Sequence, residues 1–289
     1  MTNVSITDAK DVREQIDPDA AVVPVRHWGR LLLSVVVALL VLQVFWSFAT
    51  NPFIHWEVVA SFLLAPTILK GLLATLEISV IAVVLSTVIA VVVAVMRMSK
   101  SVVLSTVAFG YVFVFRGIPL IVLLILVGNI GLFMKQVSLG IPFTDITFFS
   151  APTNRIFTPF VASIIGLSLC ASAYMSEIVR GGLLSIGRGQ YQAAMALGMD
   201  GRQTLRYILL PQAMRVIVPP MGNEFITTIK MSALVAVIAG GDLLTVAQSI
   251  SGVNYRTIEM LFVATFWYLA VVAASSIIQH FVERFTAEK

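Results

Sequence analysis

The feature that most constrains this chain is a series of apolar runs. Residues 31–49 and 78–96, for example, each pass without a single charged side chain. A helix crosses a bilayer in roughly 20 residues. Inside lipid every backbone N–H and C=O must be satisfied within the protein, which leaves helices or a closed barrel. Barrel strands alternate apolar and polar over about 10 residues, and no such alternation is present. Helices are the remaining solution, so the expected fold class is all-α integral membrane. Composition agrees: 58% of residues are hydrophobic and 12% charged, against about 25% charged in soluble proteins.

Charge orients the runs, because lysine and arginine collect in cytoplasmic loops. Six spans are predicted, over residues 31–49, 67–96, 102–133, 160–179, 216–239 and 257–280. Arg26 and Arg30 place the N-terminus inside, while residues 50–66 contain no lysine or arginine and fit an outside loop. Arg97 and Lys100 return the chain to the cytoplasm after the second span. Residues 135–159, with Pro142, Pro152 and Pro159, form a longer outside stretch. Arg180, Arg188, Arg202, Arg206 and Arg215 make 180–215 the densest basic loop, so it is cytoplasmic. Residues 240–256 are outside, and both termini lie in the cytoplasm. The net charge of +4 is accounted for by these loops and implies no nucleic-acid partner. Residues 1–29 are polar, show no cleavable signal, and read as a cytoplasmic tail. Cys170 stands alone, so no intrachain disulfide forms, and His27, His55 and His280 are too dispersed for a metal site.

The polar stretch from Gln190 to Pro211 has a physical reading of its own. Residues 191–199 favour a helix, Gly198, Asp200 and Gly201 a turn, and residues 202–209 a second short helix that Pro211 ends. The expected product is a helical hairpin at the membrane surface. An interfacial hairpin with no partner and a docking surface fit that pattern equally.

Ordered motifs then separate those readings. Gly189-Gln190-x-Gln192-Ala193-Ala194-x-Ala196-Leu197-Gly198, followed by Ile208-x-Leu210-Pro211-Gln212-Ala213, resembles the EAA loop of ABC importer permeases of the polar amino acid family. Arg116-Gly117-Ile118-Pro119-Leu120 is similar to that family's Arg-Gly-Thr-Pro-Leu motif. Tyr174, Glu177, Arg180, Gly181 and Gly182 match another, and Pro219-Pro220-x-Gly222-Asn223 and Lys230-Met231-Ser232-Ala233-Leu234 complete the series. The resemblance implies a five-helix permease core over residues 67–284, with the coupling loop at 183–213. Residues 30–66 are then an added span and outside loop, and 285–289 a cytoplasmic end. It implies a bacterial inner-membrane protein working with two ATPase subunits, an extracytoplasmic solute-binding protein and a second permease subunit, identical or not. It also implies contact with the ATPase through Gln190, Gln192, Ala193, Ala194, Gly198, Ile208, Leu210 and Pro211. Gln192 departs from the family, whose loop carries a glutamate there. No Gly-Lys-Ser/Thr phosphate loop occurs in the chain. ATP and Mg are therefore expected on the partner ATPase, with no cofactor in this chain and no enzyme activity of its own.

Ionisable residues inside spans are costly and mark candidate sites. Glu224, Thr227 and Lys230 recur at three-residue steps, a polar stripe about 120° wide on a helix of 3.6 residues per turn. Asn223 adjoins it. With Arg116 and Glu77, these are the candidate substrate-path residues, and a free amino acid supplies the carboxylate and ammonium that Lys230 and Glu224 lack. Structural pairing of Glu224 with Arg116, or of Lys230 with Glu77, stands beside that reading. Glu177 and Arg180, one turn apart, read as a local ion pair. Two other functions are weighed against it: an ion-coupled secondary transporter of small zwitterions, which calls for inverted repeats that are not evident, and a membrane enzyme, which calls for clustered catalytic side chains that are absent.

Overall fold

The computed structural model describes residues 28–141 and 146–287. Residues 1–27 of the expected cytoplasmic tail, and residues 288–289, lie outside the described residues. The chain divides into two compact units, residues 1–54 and 55–289. The described part of the first holds one helix, α1 (Trp28–Ala49), which is predominantly apolar.

The second unit contains α2 (Trp56–Leu63), α3 (Pro66–Met98), α4 (Val102–Gly117), α5 (Leu120–Gly128), α6 (Pro159–Leu184), α7 (Arg188–Ala196), α8 (Leu210–Met231), α9 (Leu243–Asn254) and α10 (Thr257–Ala287). Among the described residues, five helical runs are long and apolar enough to cross a membrane, or up to six if the bent pair α4–α5 counts as one. That pair turns by 101°, at Ile118-Pro119. Pro119 removes an N–H and drives the residue before it out of the helical region, and Ile118 is extended at φ −81°, ψ 128°.

The centre of the unit is the contact of α3 with α6, and small residues make it possible. Small buried residues on α3 include Ser79, Ala82, Ser86, Ala90 and Ala94; those on α6 include Ala162, Ser168, Ala171 and Ser176. Lipid gives helices no hydrophobic reason to associate, so close packing and interhelical hydrogen bonds must hold them. Ser86 Oγ donates to Ala82 O at 2.6 Å and lies 3.2 Å from Ser168 O, while Ser168 Oγ donates back to Ala82 O at 3.3 Å. Leu120, Leu123, Leu124 and Val127 of α5 pack on Ile164 and Leu167 of α6. At one end Val59, Ile68, Leu243, Met260 and Val263 form a second cluster; at the other, Ala94, Val179, Ala213 and Ile217 form a third.

Four features depart from the sequence expectation. A two-stranded antiparallel hairpin, β1 (Gln136–Gly140) and β2 (Thr147–Pro152), occupies the stretch read as a loop, so the fold is mostly rather than wholly helical. It was hidden because its strands lie outside the spans and bury little. The short helix α2 occupies part of the predicted 50–66 loop. The predicted 240–256 loop carries α9, whose N-cap Asp242 accepts from Leu244 N at 3.0 Å and Thr245 N at 3.3 Å. Finally, Pro211 does not end a helix. The helical run continues from Gly201 to Ile238, with Pro211 in the first turn of α8 just after a π-helical stretch, Thr204–Leu209. A proline in a first turn removes an N–H that α-helical bonding does not use, and the wider i→i+5 turn before it takes up the irregularity.

Candidate functional site

The 190–211 loop is built by two capping devices in succession. Gly198, at φ +78°, sits just past the end of α7, where a left-handed residue lets the chain double back. Gly198 N donates to Met195 O at 3.0 Å and Met199 N to Ala194 O at 3.1 Å, the paired bonds of a Schellman end. Asp200 then starts the next helical run with a capping box: its Oδ1 accepts from Gln203 N at 2.8 Å, and Gln203 Oε1 accepts from Asp200 N at 3.0 Å. Gln212 Nε2 ties the arms together, donating to Gln190 Oε1 at 3.3 Å and to Ile208 O at 2.9 Å.

The two alanines have different places. Ala194 is buried in the angle between the arms, while Ala193 and Gln192 are exposed. The close approach that Ala194 permits is therefore of the loop's own second arm. Leu210 and Pro211 are exposed and Ile208 is half-buried. The loop also presents side chains that motif matching did not single out: Tyr191, Met195, Tyr207 and, at 81% exposure, Leu197. The available signal was large apolar side chains inside the stretch that the flanking Arg188, Arg202 and Arg206 mark as a polar loop.

The polar face of α8 is partly assembled. Glu224 and Thr227 are half-buried, and Asn223 and Lys230 exposed. Thr227 Oγ1 donates to Asn223 O at 2.9 Å and Thr228 Oγ1 to Glu224 O at 2.8 Å, so both hydroxyls are turned onto the helix. Glu224 and Thr228 share a small pocket with Cys170, Tyr174 and Leu120. Arg116 stacks over the Tyr174 ring, its guanidinium carbon 4.9 Å from the centroid. Tyr174 thus links Arg116 to the Glu224 pocket, a link that linear spacing does not show. Glu77 is exposed on α3. Among the described residues, the ion pairs do not include Glu224 with Arg116 or Lys230 with Glu77.

Near the loop end of α3 and α6, Glu177 Oε2 accepts from Arg180 Nη2 at 2.6 Å, the local pair the spacing predicts. Arg97 adds a third member, its Nε 3.8 Å from Glu177 Oε1 and its guanidinium over the Phe109 ring. Among the described residues, no group of three or more histidine, cysteine or acidic side chains is placed to hold a metal ion.

Comparison with known proteins follows the same outline. Residues 82–288 match the family described as "Binding-protein-dependent transport system inner membrane component". The chain is 34% identical over 262 residues to the arginine transport system permease protein ArgU of Corynebacterium glutamicum, covering 90% of this chain and 81% of that one. It is 35% identical over 222 residues to the glutamate/aspartate import permease protein GltK of Escherichia coli, covering 77% and 94%. Among solved structures, an amino acid ABC transporter crystallised with histidines superposes with a TM-score of 0.65 at 33% identity, over 76% of this chain and 94% of that one. The MetNI methionine ABC transporter in an inward-facing form shares the fold, with a TM-score of 0.57 at 21% identity over 78% and 97%. This multi-pass chain of the inner membrane belongs to the family of binding-protein-dependent transport system inner membrane components.

Proposed function

We propose that this chain is the permease subunit of an ATP-driven importer of polar amino acids. It takes substrate from an extracytoplasmic binding protein and couples to a separate ATPase through the 190–211 loop. ATP and Mg are bound by two ATPase subunits, and a second permease subunit completes the path. In this reading the chain spans the membrane six times with both termini in the cytoplasm. Residues 1–29 are a tail, 30–66 an added span with its outside loop, 67–284 the permease core, and 285–289 the cytoplasmic end.

The observation that carries the reading is the loop itself. Two consecutive caps fix its shape, yet Tyr191, Met195, Leu197 and Tyr207 are exposed. A rigid scaffold that exposes apolar side chains marks an interaction surface. Gln192 leaves that surface without the family's carboxylate, so docking rests on shape and apolar contact. The names of the relatives support the substrate class, since arginine, glutamate and aspartate share the α-ammonium and α-carboxylate. Glu224 and Lys230, on one helix and unpaired with each other, offer the complementary charges.

The test is reconstitution. The permease, co-expressed with the ATPase and placed in proteoliposomes, is expected to take up amino acid only with binding protein outside and ATP inside. Uptake driven by an ion gradient, with no ATPase bound, would instead identify a secondary transporter.

A further inference from the structure

Pro219, Pro220 and Gly222 lie inside the continuous helix α8, the prolines one turn before Asn223 and Glu224. Each proline removes a rung of the helix hydrogen-bond ladder, which makes this the natural point for α8 to bend. The side chain that meets this stretch is Gln279 of α10. Its Nε2 donates to Pro219 O at 3.1 Å and to Glu283 Oε1 at 2.8 Å. Its Oε1 is buried with no hydrogen-bond partner. The amide lies directly on Gly222, where an added Cβ would come within 2.8 Å of Oε1 and 2.9 Å of Cδ. Gly222 is therefore a notch shaped for this amide. Beside the contact is an apolar cavity of about 600 Å³, with Val91, Leu183, Met214, Phe225 and Ile278 in its walls.

These features belong together. The cavity opens beside α8 and α10, and the amide in its notch is a close contact that joins them at its edge. Burying an unpaired carbonyl oxygen is unfavourable, and in a mostly apolar wall a leucine would carry no such unpaired oxygen. A buried unmet group in such a place calls for a role beyond packing. The second arm of the loop and α8 form one helical run, Gly201–Ile238. Displacement of the loop is thus carried directly to Pro219.

We infer that Gln279, seated on Gly222 and Pro219, is the fulcrum on which α8 converts loop movement into displacement of its polar face. Gln279 is a positioning residue, acting through α8 rather than on substrate. The inference rests on the proposed function, since it takes the loop as the ATPase dock and the face as the substrate path.

The experiment compares amino acid taken up with ATP hydrolysed, in proteoliposomes holding the full complex and binding protein. The probe is whichever of arginine, glutamine and glutamate the unaltered complex imports. Gln279→Leu and Gly222→Ala are each expected to lower uptake per ATP about tenfold, a size usual for residues that couple sites, with assembly and hydrolysis retained. The double variant is expected to lose no more than the worse single one, because both changes strike one contact. Native coupling in Gln279→Leu, or multiplied losses in the double variant, overturns the fulcrum alone. Should Gly222→Ala fail to assemble, Gln279→Leu decides, since it adds no bulk to the notch. Uptake by the unaltered complex that ignores ATP overturns the proposed function, and the fulcrum with it.

Discussion

Gly198 decides the shape of the 190–211 loop because its left-handed backbone absorbs the reversal between the arms. A side chain at its φ of +78° places Cβ against the backbone, a cost of about 1–2 kcal/mol for L-residues in the left-handed region. Gly198→Val is expected to loosen the loop while leaving membrane insertion intact, measured as lost co-purification of the ATPase from normally inserted permease. At the same scale, Lys230 and Glu224 separate substrate handling from structure. Neither forms an ion pair among the described residues, so removing either strands no partner charge. Lys230→Ala and Glu224→Ala are each expected to reduce uptake about tenfold or more, the loss of a charged hydrogen bond, without reducing assembly. Unchanged uptake in both variants would remove them from the path.

At the scale of elements, the seam between α3 and α6 dominates, and its tolerance is steric before it is polar. Ala82 and Ser86 are fully buried there. Ala82→Leu forces extra methylenes into a close-packed seam, for which about 1–3 kcal/mol is typical, and is expected to lower the thermal midpoint in detergent. Ser86→Ala removes a hydroxyl bonded at 2.6 Å to a backbone carbonyl, but hydrogen bonds between membrane helices average only about 0.6 kcal/mol. Its midpoint is expected to stay close to that of the native protein. The opposite ranking would mean that hydrogen bonding, not close packing, holds this seam. The α4–α5 pair follows a different logic. Pro119 fixes a sharp turn within one apolar run, and Arg116, in the last turn before that break, lies over Tyr174.

For the whole molecule, the division at residue 54 has a consequence of its own. The compact unit over residues 55–289 contains all of the family match at 82–288. A chain beginning at residue 55 is expected to assemble with the ATPase and import, since loop, polar face and fulcrum lie beyond that point. The readout is uptake per assembled complex, and a loss with normal assembly would give the first unit a part in transport. The proposed coupling route also belongs to this scale. The loop's second arm, Pro219 and the polar face share one helical run, and in that proposal α10 is the fixed point against which the run bends.

The apolar runs by themselves determined that the chain forms membrane helices, because lipid offers backbone groups no alternative partners. Ordered local motifs determined the family and drew attention to the loop, since Gly198, Asp200 and Pro119 act on neighbours within a few residues. The hairpin at 136–152 was not legible because its strands are short. Helix α9 carries a helical pattern of Leu243, Val246, Ala247 and Ile250 behind its N-cap Asp242, but its 12 residues are too few to cross a bilayer, so a division into spans and loops absorbs it into a loop. The fate of Pro211 turned on a π-helical stretch that spacing does not encode. Tertiary structure alone decided which side chains meet. Tyr174 lies between Arg116 and the Glu224 pocket, Ala194 is enclosed by its own loop, and Gln279 sits on Gly222. Gly222 and Gln279 are 57 positions apart. Their contact depends on how two helices approach, and that approach is set by packing over the whole unit rather than by any local pattern.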